Sequence, residues 1–321
     1  MTWLVTGGAG YIGSHVAAAF RDSGIEVVAL DDLSSGREEF VPAGVPLERG
    51  TLLDESFVGR VFAKHRLTGV VHLAGYKYAG MSVQRPLHTY EQNITATVNL
   101  LRSMDDTGVA SMVFSSSAAV YGTPPVEFVT EETVTRPESP YGETKLAGEW
   151  LINAQTRATQ LRATSLRYFN VVGSADGGAP DASPYNLFPL VFRALEAGAA
   201  PKIFGDDYAT PDGTCVRDYV HVVDVAAAHV AAARALDAGT PLEPVYNLGS
   251  GTGLSVRQIM DEMALATGVP FTAAVAPARP GDPARIVASG ELAARDIAWM
   301  PTYTLAQMIA SAWVAHKARQ G

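Results

Sequence analysis

The sequence VTGGAGYIGSH, which begins at the end of a short apolar run, constrains the fold of this chain more than any other stretch. It places Gly7, Gly8, Gly10 and Gly13 between a predicted strand and a predicted helix. There, glycines allow a tight turn, a close approach of the backbone to a pyrophosphate, and close packing of helix on strand. The pyrophosphate would lie at the positive N-terminal end of the helix. The turn therefore predicts a dinucleotide-binding βαβ unit.

Short apolar segments alternate with longer amphipathic segments through the first half of the chain. We interpret five of them as buried strands: TWLVT, EVVALDD, GVVHLAG, SMVFSSS and TSLRYFN. This alternation is typical of an α/β fold with a doubly wound, parallel sheet. Residues 1–171 are predicted to form this Rossmann-type domain, and residues 172–321 mainly a smaller, interleaved α/β domain that binds the substrate.

The alternation changes after Val171. The stretch GSADGGAPDASPYN at 173–186 is rich in Gly, Pro, Asp and Ser, and it predicts a loop over a ligand site. Further on, YVHVVDVAAAHVAAARAL and then VYNLG have the pattern of an apolar helix followed by a strand. We therefore expect the chain to return to the first sheet at about 219–250.

Charge and composition argue against several kinds of partner. The net charge of −9 and a pI near 5.3 disfavour a nucleic-acid surface or a polybasic membrane patch. A single cysteine, Cys215, excludes an internal disulfide and a cysteine-based metal site. With no signal-like start and no run of 18 apolar residues, we expect a cytoplasmic protein without a membrane segment. The seven histidines lack ligand spacing, so no metal is expected, and His15 and His221 are interpreted as packing or hydrogen-bonding residues.

The second predicted strand ends in two carboxylates, Asp31 and Asp32. A carboxylate at this position can accept hydrogen bonds from the adenosine ribose hydroxyls, whereas a 2′-phosphate would meet a like charge. The pair therefore favours NAD over NADP. Arg37 leaves the alternative open, because an arginine a few residues on can flank a phosphate.

Tyr141 and Lys145 lie one helical turn apart in SPYGETK, behind a proline that favours a helix start. A tyrosine hydroxyl, with an ordinary pKa of about 10, is a poor base at neutral pH unless a positive charge is near. Lys145 shares a helix face with Tyr141 and can supply that charge. The serines 115–117 end another predicted strand, at the sheet edge where ligands bind. Together these residues predict a base that deprotonates an alcohol while a hydride leaves.

A resemblance to a known family rests on seven ordered strings: VTGGAGYIGSH, AGYKYAGMSVQRPL, FSSSAAVYG, SPYGETK, LRYFNVVG, IFGDDYATPDGTCVRDYVHVVD and YNLGSG. Over nearly the whole chain they resemble the extended short-chain dehydrogenase/reductase family and, within it, the enzymes that invert carbon 4 of UDP-hexoses. The resemblance implies interconversion of UDP-galactose and UDP-glucose through a 4-keto sugar, with NAD retained. It also implies a homodimer built on roughly residues 87–107 and the helix of Tyr141, where Ala147 and Gly148 would pack on a second copy or on the chain's own sheet.

The same resemblance assigns residues to roles. The implied catalytic residues are Ser117, Tyr141 and Lys145. The implied cofactor contacts are Gly7, Gly10, Tyr11, Ile12, Gly13, Asp31, Asp32, Leu73, Ala74, Gly75, Lys77, Asn93, Ser115, Tyr141, Lys145 and Tyr168. The implied substrate contacts are Lys77, Ser117, Tyr141, Phe169, Asn170, Asn186, Leu187, Phe204, Arg217, Arg279 and Asp282.

Some positions depart from the family pattern or leave the reaction open. Residues 49–51 read Arg-Gly-Thr where an acidic residue often contacts adenine, so that contact must come from elsewhere. Ile286 stands where the room around the sugar C2 substituent is set, so acceptance of N-acetylhexosamines is open. Ala118 and Ala119 replace the Asp and Glu of 4,6-dehydratases and disfavour dehydration. Epimerisation of UDP-glucuronate or UDP-pentoses, and a non-catalytic NAD-sensing role, remain as alternatives.

Overall fold

The computed structural model describes residues 1–279 and 282–318. The strands are β1 (Thr2–Thr6), β2 (Glu26–Asp31), β3 (Leu47–Arg49), β4 (Gly69–His72), β5 (Ser111–Ser117), β6 (Arg162–Tyr168), β7 (Asn170–Val172), β8 (Lys202–Phe204), β9 (Val216–His221), β10 (Val245–Leu248), β11 (Gly253–Ser255), β12 (Ala274–Ala276) and β13 (Arg285–Ile286). The helices are α1 (Tyr11–Asp22), α2 (Glu55–Lys64), α3 (Ala79–Ser82), α4 (Pro86–Tyr90), α5 (Ala96–Thr107), α6 (Pro140–Ala158), α7 (Leu187–Glu196), α8 (Val222–Asp237), α9 (Val256–Thr267), α10 (Glu291–Ile297) and α11 (Leu305–Ala318).

Seven parallel strands form the main sheet in the order β10-β6-β5-β4-β1-β2-β3. This confirms the predicted doubly wound α/β fold. β1 lies between β2 and β4, with Trp3 opposite Val27 on one side and Gly69 on the other. The direction of strand order reverses at β1 and β4, and ligands of such sheets bind at that point, beyond the carboxyl ends of the strands.

Helices cover both faces of the main sheet, which explains why its strands are almost continuously apolar. On one face, Trp3 is fully buried and its ring meets that of Phe20 in α1 edge to face at 5.7 Å. On the other face, Leu4 and Leu30 pack into a core with side chains of α2 and α5, such as Leu100. A sheet buried on both sides is rigid, and it fixes the strand ends that carry the site.

The second domain is built on a smaller sheet. Its strands follow the order β11-β9-β13, with β7 also paired to β9, while β8 and β12 form a separate parallel pair. Apolar side chains of α7, α9 and α11 form the core of this domain, for example Phe192, Met263 and Ile309. This core is separate from those of the main sheet, as expected for a second domain.

Two segments differ from the sequence interpretation. Tyr219–His221 were predicted within a helix, but they belong to β9, because β7 pairs with this segment through the backbone. The helix α8 begins at Val222, where the His221 imidazole Nδ1 accepts a hydrogen bond from the Val223 amide at 3.1 Å. TSLRYFN is not one strand either, since β6 ends at Tyr168 and the chain enters the second sheet at Asn170.

Of the two small residues of α6 considered above, Ala147 and Gly148, Gly148 faces the chain's own sheet. A Cβ atom added to Gly148 would lie 2.7 Å from the Phe114 ring on β5. Gly148 therefore lets α6 approach β5, and this close packing brings Tyr141 and Lys145 to the end of that strand.

Candidate active site

The glycine turn between β1 and α1 has the shape of a phosphate cradle. Gly7 adopts a left-handed φ of 71°, and an added Cβ would lie 2.9 Å from the Ala74 amide nitrogen beyond β4. A Cβ on Gly13 would lie 2.0 Å from the Gly7 carbonyl oxygen. Gly10 precedes α1 and offers no side chain to cap it, so the first-turn amides remain directed toward the turn. These residues fit a dinucleotide pyrophosphate.

Asp31 and Asp32 have different surroundings at the end of β2. The buried Asp31 carboxylate accepts from the Ala9 amide at 3.0 Å and from the Leu33 amide at 2.8 Å, so it holds the glycine turn in place. Burial raises the pKa of Asp31 above its ordinary value. Asp32 is exposed and accepts from Ser34. Arg37 points to Glu39 at 3.3 Å, so its charge is shared with a surface carboxylate.

The position that departs from the family pattern has a structural role. The Thr51 hydroxyl accepts from the Leu53 amide at 3.2 Å, and the Asp54 carboxylate caps α2 by accepting from the Phe57 amide at 3.0 Å. A Cβ on Gly50 would lie 2.5 Å from the Phe57 ring. Thr51 and Asp54 thus fix the loop after β3.

Ser117, Tyr141 and Lys145 converge at the carboxyl end of β5. Ser117 is the last residue of β5, and Tyr141 and Lys145 lie on the first turns of α6, which Ser139 caps through the Gly142 amide at 3.2 Å. The Ser117 side chain lies close enough to the Tyr141 phenol to lower its pKa, and its hydroxyl accepts from the Ala119 amide at 3.2 Å. The Lys145 ammonium lies 5.9 Å from the centre of the Tyr141 ring. The predicted pair and its serine are therefore adjacent in space.

Burial is the largest cause of the pKa shifts of Tyr141 and Lys145. It raises the pKa of Tyr141, while the Ser117 side chain lowers it. Burial also lowers the pKa of Lys145 from its ordinary value to about 8, and the Glu149 carboxylate raises it. The Lys145 ammonium donates to the Ser115 carbonyl at 2.8 Å, which fixes its position.

A buried ion pair that the sequence analysis missed supports this cluster. Glu149 and Arg167 are both buried, and the guanidinium binds the carboxylate through two nitrogens at 2.8 and 2.6 Å. The Ser116 hydroxyl donates to the same carboxylate, and the third guanidinium nitrogen donates to the Tyr121 hydroxyl at 2.7 Å. The spacing of Glu149 from Lys145, one further helical turn, is the signal that could have revealed it.

The segment after β4 holds several predicted cofactor residues. The Ala74 amide donates to the Thr6 hydroxyl at 3.2 Å, and Leu73 lies beside it, so this segment lies next to the glycine turn. The Asn93 amide group donates to the Tyr76 carbonyl at 3.1 Å and to the Thr144 hydroxyl at 2.8 Å. Asn93 thus joins the loop after β4 to α6.

Asn93 occupies a single π-helical turn, Glu91–Thr95, between α4 and α5. Such bulges are often found at functional sites. A Cβ on Gly75 would lie 2.7 Å from the Asn93 side-chain oxygen, so glycine is required for this approach. Lys77 is exposed, and its ammonium lies 5.8 Å from the Tyr78 ring.

The remaining predicted cofactor residues line the junction of the two domains. The Tyr11 hydroxyl donates to the Gly173 carbonyl at 2.6 Å, and Ile12 packs against the core beside α1. The Tyr168 hydroxyl donates to the Ser115 hydroxyl. Burial raises the pKa of Tyr168, which therefore stays protonated. His15, expected to make hydrogen bonds, bonds the Tyr11 carbonyl at 2.7 Å.

Several predicted substrate residues lie on or near the smaller sheets of the second domain. Arg217 and Ile286 are paired in register between β9 and β13. The Arg217 guanidinium donates to the Pro283 carbonyl at 2.6 Å and lies 3.6 Å from the Asp282 carboxylate. The Arg279 guanidinium lies 3.9 Å from the centre of the Phe204 ring. Two arginines and an aromatic ring are groups that bind a nucleoside diphosphate.

The other substrate positions have protein partners in this structure. The Asn170 amide donates to the Asp218 carbonyl at 3.0 Å, and the Asn186 amide donates to the Asp181 carboxylate at 2.7 Å. Phe169 is buried with Ile286. Leu187 begins α7 and packs against the second-domain core.

Two kinds of feature are absent from the part of the chain that the structure describes. No three His, Cys, Asp or Glu side chains are grouped as they would be around a metal ion. Within residues 1–279 and 282–318, no helix has the length and apolar character needed to cross a membrane.

Comparisons with known proteins cover both domains. A family model described as the NAD dependent epimerase/dehydratase family matches residues 3–249. UDP-glucose 4-epimerase of Corynebacterium glutamicum is 42% identical over 317 residues, which cover 98% of this chain and 95% of the relative. A crystal structure of UDP-glucose 4-epimerase matches with a TM-score of 0.96 and 40% identity, covering 100% of this chain and 99% of that chain.

A further solved structure is that of UDP-glucose 4-epimerase from Bifidobacterium longum in complex with NAD+ and UDP. It matches with a TM-score of 0.91 and 35% identity, covering 100% of this chain and 99% of that chain. These matches confirm the resemblance drawn from the sequence strings. The chain belongs to the NAD dependent epimerase/dehydratase family.

Proposed function

We propose that this protein interconverts UDP-galactose and UDP-glucose by inverting carbon 4 of the hexose, with NAD as cofactor. The observation that carries the proposal is the cluster of Ser117, Tyr141 and Lys145 beside the glycine turn. A tyrosine beside a serine side chain, with a lysine 5.9 Å from its ring, is a proton-transfer group for an alcohol. The relatives named above, which are 35–42% identical to this chain, support the same reaction.

Different residues of the chain would bind the cofactor and transfer the proton. The amides of the glycine turn and the Asp32 carboxylate would bind the pyrophosphate and the ribose. When bound, NAD supplies the acceptor and the source of the hydride at carbon 4, and its positive nicotinamide favours an anionic phenol. Tyr141 takes the proton of the 4-hydroxyl and returns it after the 4-keto sugar has turned over. Lys145 holds positive charge near the phenol, and Ser117 orients it by a hydrogen bond.

The second domain would hold the UDP group during this turnover. Arg217 and Arg279 bring two guanidinium groups to a protein whose net charge is −9, and a diphosphate needs such local positive charge. The Phe204 ring offers an apolar face to the uracil. Because the protein would bind the nucleotide, the 4-keto hexose is free to rotate between its oxidation and its reduction.

The test follows the conversion of UDP-galactose to UDP-glucose by the purified protein without added NAD. We expect turnover by the native protein and a loss of roughly 10²–10⁴-fold in kcat for Tyr141→Phe, because general acid–base catalysis is removed. Tyr246→Phe is the matched control, since the Tyr246 hydroxyl bonds the Glu243 amide and the Asp296 carboxylate instead of Ser117. A Tyr141→Phe variant with native kcat would contradict the assigned base. No turnover of any UDP-sugar, even with NAD added, would favour a regulatory role.

The choice among UDP-sugars depends on the wall near Ile286, which is buried and paired with Arg217. An aliphatic side chain of this size supports a hexose with a plain 2-hydroxyl. A 4-epimerase of UDP-N-acetylhexosamines, UDP-glucuronate or UDP-pentoses is the alternative. Parallel assays with UDP-N-acetylgalactosamine and UDP-galacturonate distinguish these sugars, because the same catalytic cluster would act on each.

We also propose that the protein is a cytoplasmic homodimer. Leu87, Trp150 and Tyr90 expose 86%, 63% and 40% of their surface. The Tyr90 hydroxyl donates to Glu143 at 2.9 Å, and Glu143 and Trp150 are two turns apart on α6, so these side chains share one face. An exposed apolar face with two aromatic anchors favours an interface.

The free, buried Cys215 is compatible with a reducing cytoplasm.

A further inference from the structure

The segment 173–186 crosses from the second domain over the Rossmann domain, and its first residues are firmly attached to α1. The Tyr11 hydroxyl donates to the Gly173 carbonyl at 2.6 Å. The Ala175 amide donates to the His15 imidazole at 3.1 Å, and the Ser174 hydroxyl lies 3.3 Å from the same nitrogen. These contacts are buried, so this end of the segment is fixed beside the glycine turn.

The other end of the segment touches the Rossmann domain through a pair of aromatic rings. The ring centres of Tyr185 and Tyr78 are 5.3 Å apart, and the rings meet edge to face at 69°. Tyr185 exposes 49% of its surface, so few other contacts hold it. Burial raises the pKa of both Tyr11 and Tyr78, and the Asp181 carboxylate of this segment adds to both shifts.

Tyr78 is rigidly connected to the catalytic helix. Its carbonyl accepts from the Ser82 amide at 2.8 Å across the single turn of α3. The Ser82 hydroxyl accepts from the Tyr141 amide at 3.1 Å. Its ring also meets that of Tyr76 edge to face at 5.4 Å. The ring therefore keeps a fixed position relative to the proposed base.

Each tyrosine of the pair also adjoins a predicted sugar contact in sequence, Lys77 beside Tyr78 and Asn186 beside Tyr185. The pair is thus one residue away in sequence from two positions that are expected to contact the sugar. A contact with one rigid partner and one exposed partner can open without disturbing the core of either domain.

We propose that Tyr78 and Tyr185 form a latch across the cleft that retains the 4-keto sugar until it is reduced again. The proposal rests on the 4-epimerase function proposed above. The sugar must turn over between losing and regaining its hydride, and during that time the UDP group alone holds it. A closed latch keeps the oxidised sugar within reach of Tyr141. An open latch allows it to leave.

Each escape has a defined chemical balance. The sugar leaves as UDP-4-ketohexose after losing a hydride to the nicotinamide and the hydroxyl proton to Tyr141. The two electrons stay with the protein as reduced nicotinamide, and that molecule cannot begin another cycle with a 4-hydroxy sugar. Escape of the sugar can therefore be measured in two ways, as reduced nicotinamide in the protein and as ketone released into solution.

The experiment compares native holoenzyme with Tyr78→Ala, Tyr185→Ala and the double alanine variant. Tyr78→Phe and Tyr185→Phe are matched controls that keep the rings and remove only the hydroxyls. Each protein turns over UDP-galactose while reduced-nicotinamide fluorescence is followed. UDP-4-ketohexose in the ultrafiltrate is converted with hydroxylamine to its oxime and quantified by mass spectrometry. The measured quantity is ketone released per UDP-glucose formed.

We expect each alanine variant to raise this ratio roughly threefold to tenfold, the population change that follows from losing one edge-to-face aromatic pair. Reduced nicotinamide should accumulate in step with the ketone. The double variant should release no more than either single variant, since both remove the same contact. The phenylalanine variants should match the native ratio.

The proposal is overturned if the alanine variants epimerise UDP-galactose with the native ratio of ketone to product, or if only their KM rises. Additive effects in the double variant would also contradict a paired latch. Native turnover of UDP-galactose, measured first, tests the proposed function separately. Because Tyr185 is half exposed, its alanine variant should unfold at the native temperature, which thermal denaturation checks.

Discussion

A single carboxylate, Glu149, connects the residues that hold the catalytic cluster. It accepts from Ser116 on β5 and from Arg167 on β6, and it lies one helical turn after Lys145 on α6. Three elements that carry the site are thereby fixed to one buried charge. A buried ion pair is weak evidence for added stability, because desolvation opposes the attraction between the charges. Here it specifies geometry, because the Glu149 carboxylate binds Ser116 and Arg167 at the same time.

We predict that this carboxylate controls the pH dependence of the reaction. Burial lowers the pKa of Lys145 to about 8, so the side chain is charged below that pH and neutral above it. A neutral lysine no longer favours the Tyr141 phenolate. The profile of kcat/KM for UDP-galactose should therefore fall as pH rises through about 8. In Glu149→Gln the charge that raises the lysine pKa is removed, and the fall should move to lower pH.

The control for this prediction is Glu143→Gln, which removes a carboxylate from the exposed side of the same helix. Its profile should match that of the native protein. A fall at unchanged pH in Glu149→Gln would mean that another group controls the charge of Lys145. The glutamine oxygen can still accept from Ser116 and from Arg167 Nε, but its amide nitrogen faces a second guanidinium nitrogen, so thermal denaturation is measured alongside the profile.

The sequence predicts some of these relations and not others. Ser117 and Tyr141 can be expected to meet, because a strand end and the next helix start adjoin in a parallel sheet. The sequence places Glu149 one helical turn after Lys145, but it does not identify Arg167 as its partner, since an arginine in a strand usually faces water. Only the packing of α6 against β5, which Gly148 permits, brings them together.

At the scale of elements, the glycine turn is the part of the fold most completely specified by sequence. The same reasoning failed at Tyr219–His221, whose apolar pattern joins β9 to α8 without interruption. Periodicity cannot separate a short buried strand from the first turn of an apolar helix. The pairing of β9 with β7 decides the structure there, and that partner is distant in sequence.

We predict that Gly13→Ala will weaken both the turn and the binding of NAD. The new Cβ would lie 2.0 Å from the Gly7 carbonyl oxygen, so α1 must move away from the turn. We expect purified Gly13→Ala to carry much less NAD per chain than the native protein, measured by chromatography of the nucleotide released on denaturation. Retention of native NAD content would contradict the role of the turn as a cradle.

The matched control is Gly59→Ala in α2, where an added Cβ meets nothing within 4 Å. The site is exposed and helical, so alanine should stabilise the protein by roughly 0.5–1 kcal/mol through the better helix propensity. Its NAD content should be native. The two variants make the same chemical change with opposite expected effects, which separates the close approach at Gly13 from a general cost of losing glycine.

At the scale of the whole molecule, the apolar face of α4 and α6 needs a partner. We predict that Trp150→Ser and Leu87→Ser will shift the proposed dimer toward monomer, because buried tryptophans at interfaces contribute roughly 2 kcal/mol or more. Sedimentation velocity over a range of protein concentrations measures this change. Val134→Ser, at a position 80% exposed in another loop, is the control and should leave the assembly unchanged. A monomeric native protein would contradict the proposal.

The passage of the chain between its domains has a consequence for synthesis on the ribosome. The main sheet receives its last strand, β10, only after the chain has left that sheet at Phe169 and built much of the second domain. Domains usually fold one after another from the N-terminus as they are made. Here the first 170 residues emerge with the outer edge of β6 unpaired, and that edge stays open until Val245–Leu248 have been translated. The nascent chain must therefore protect an exposed strand edge through the synthesis of about the next seventy residues.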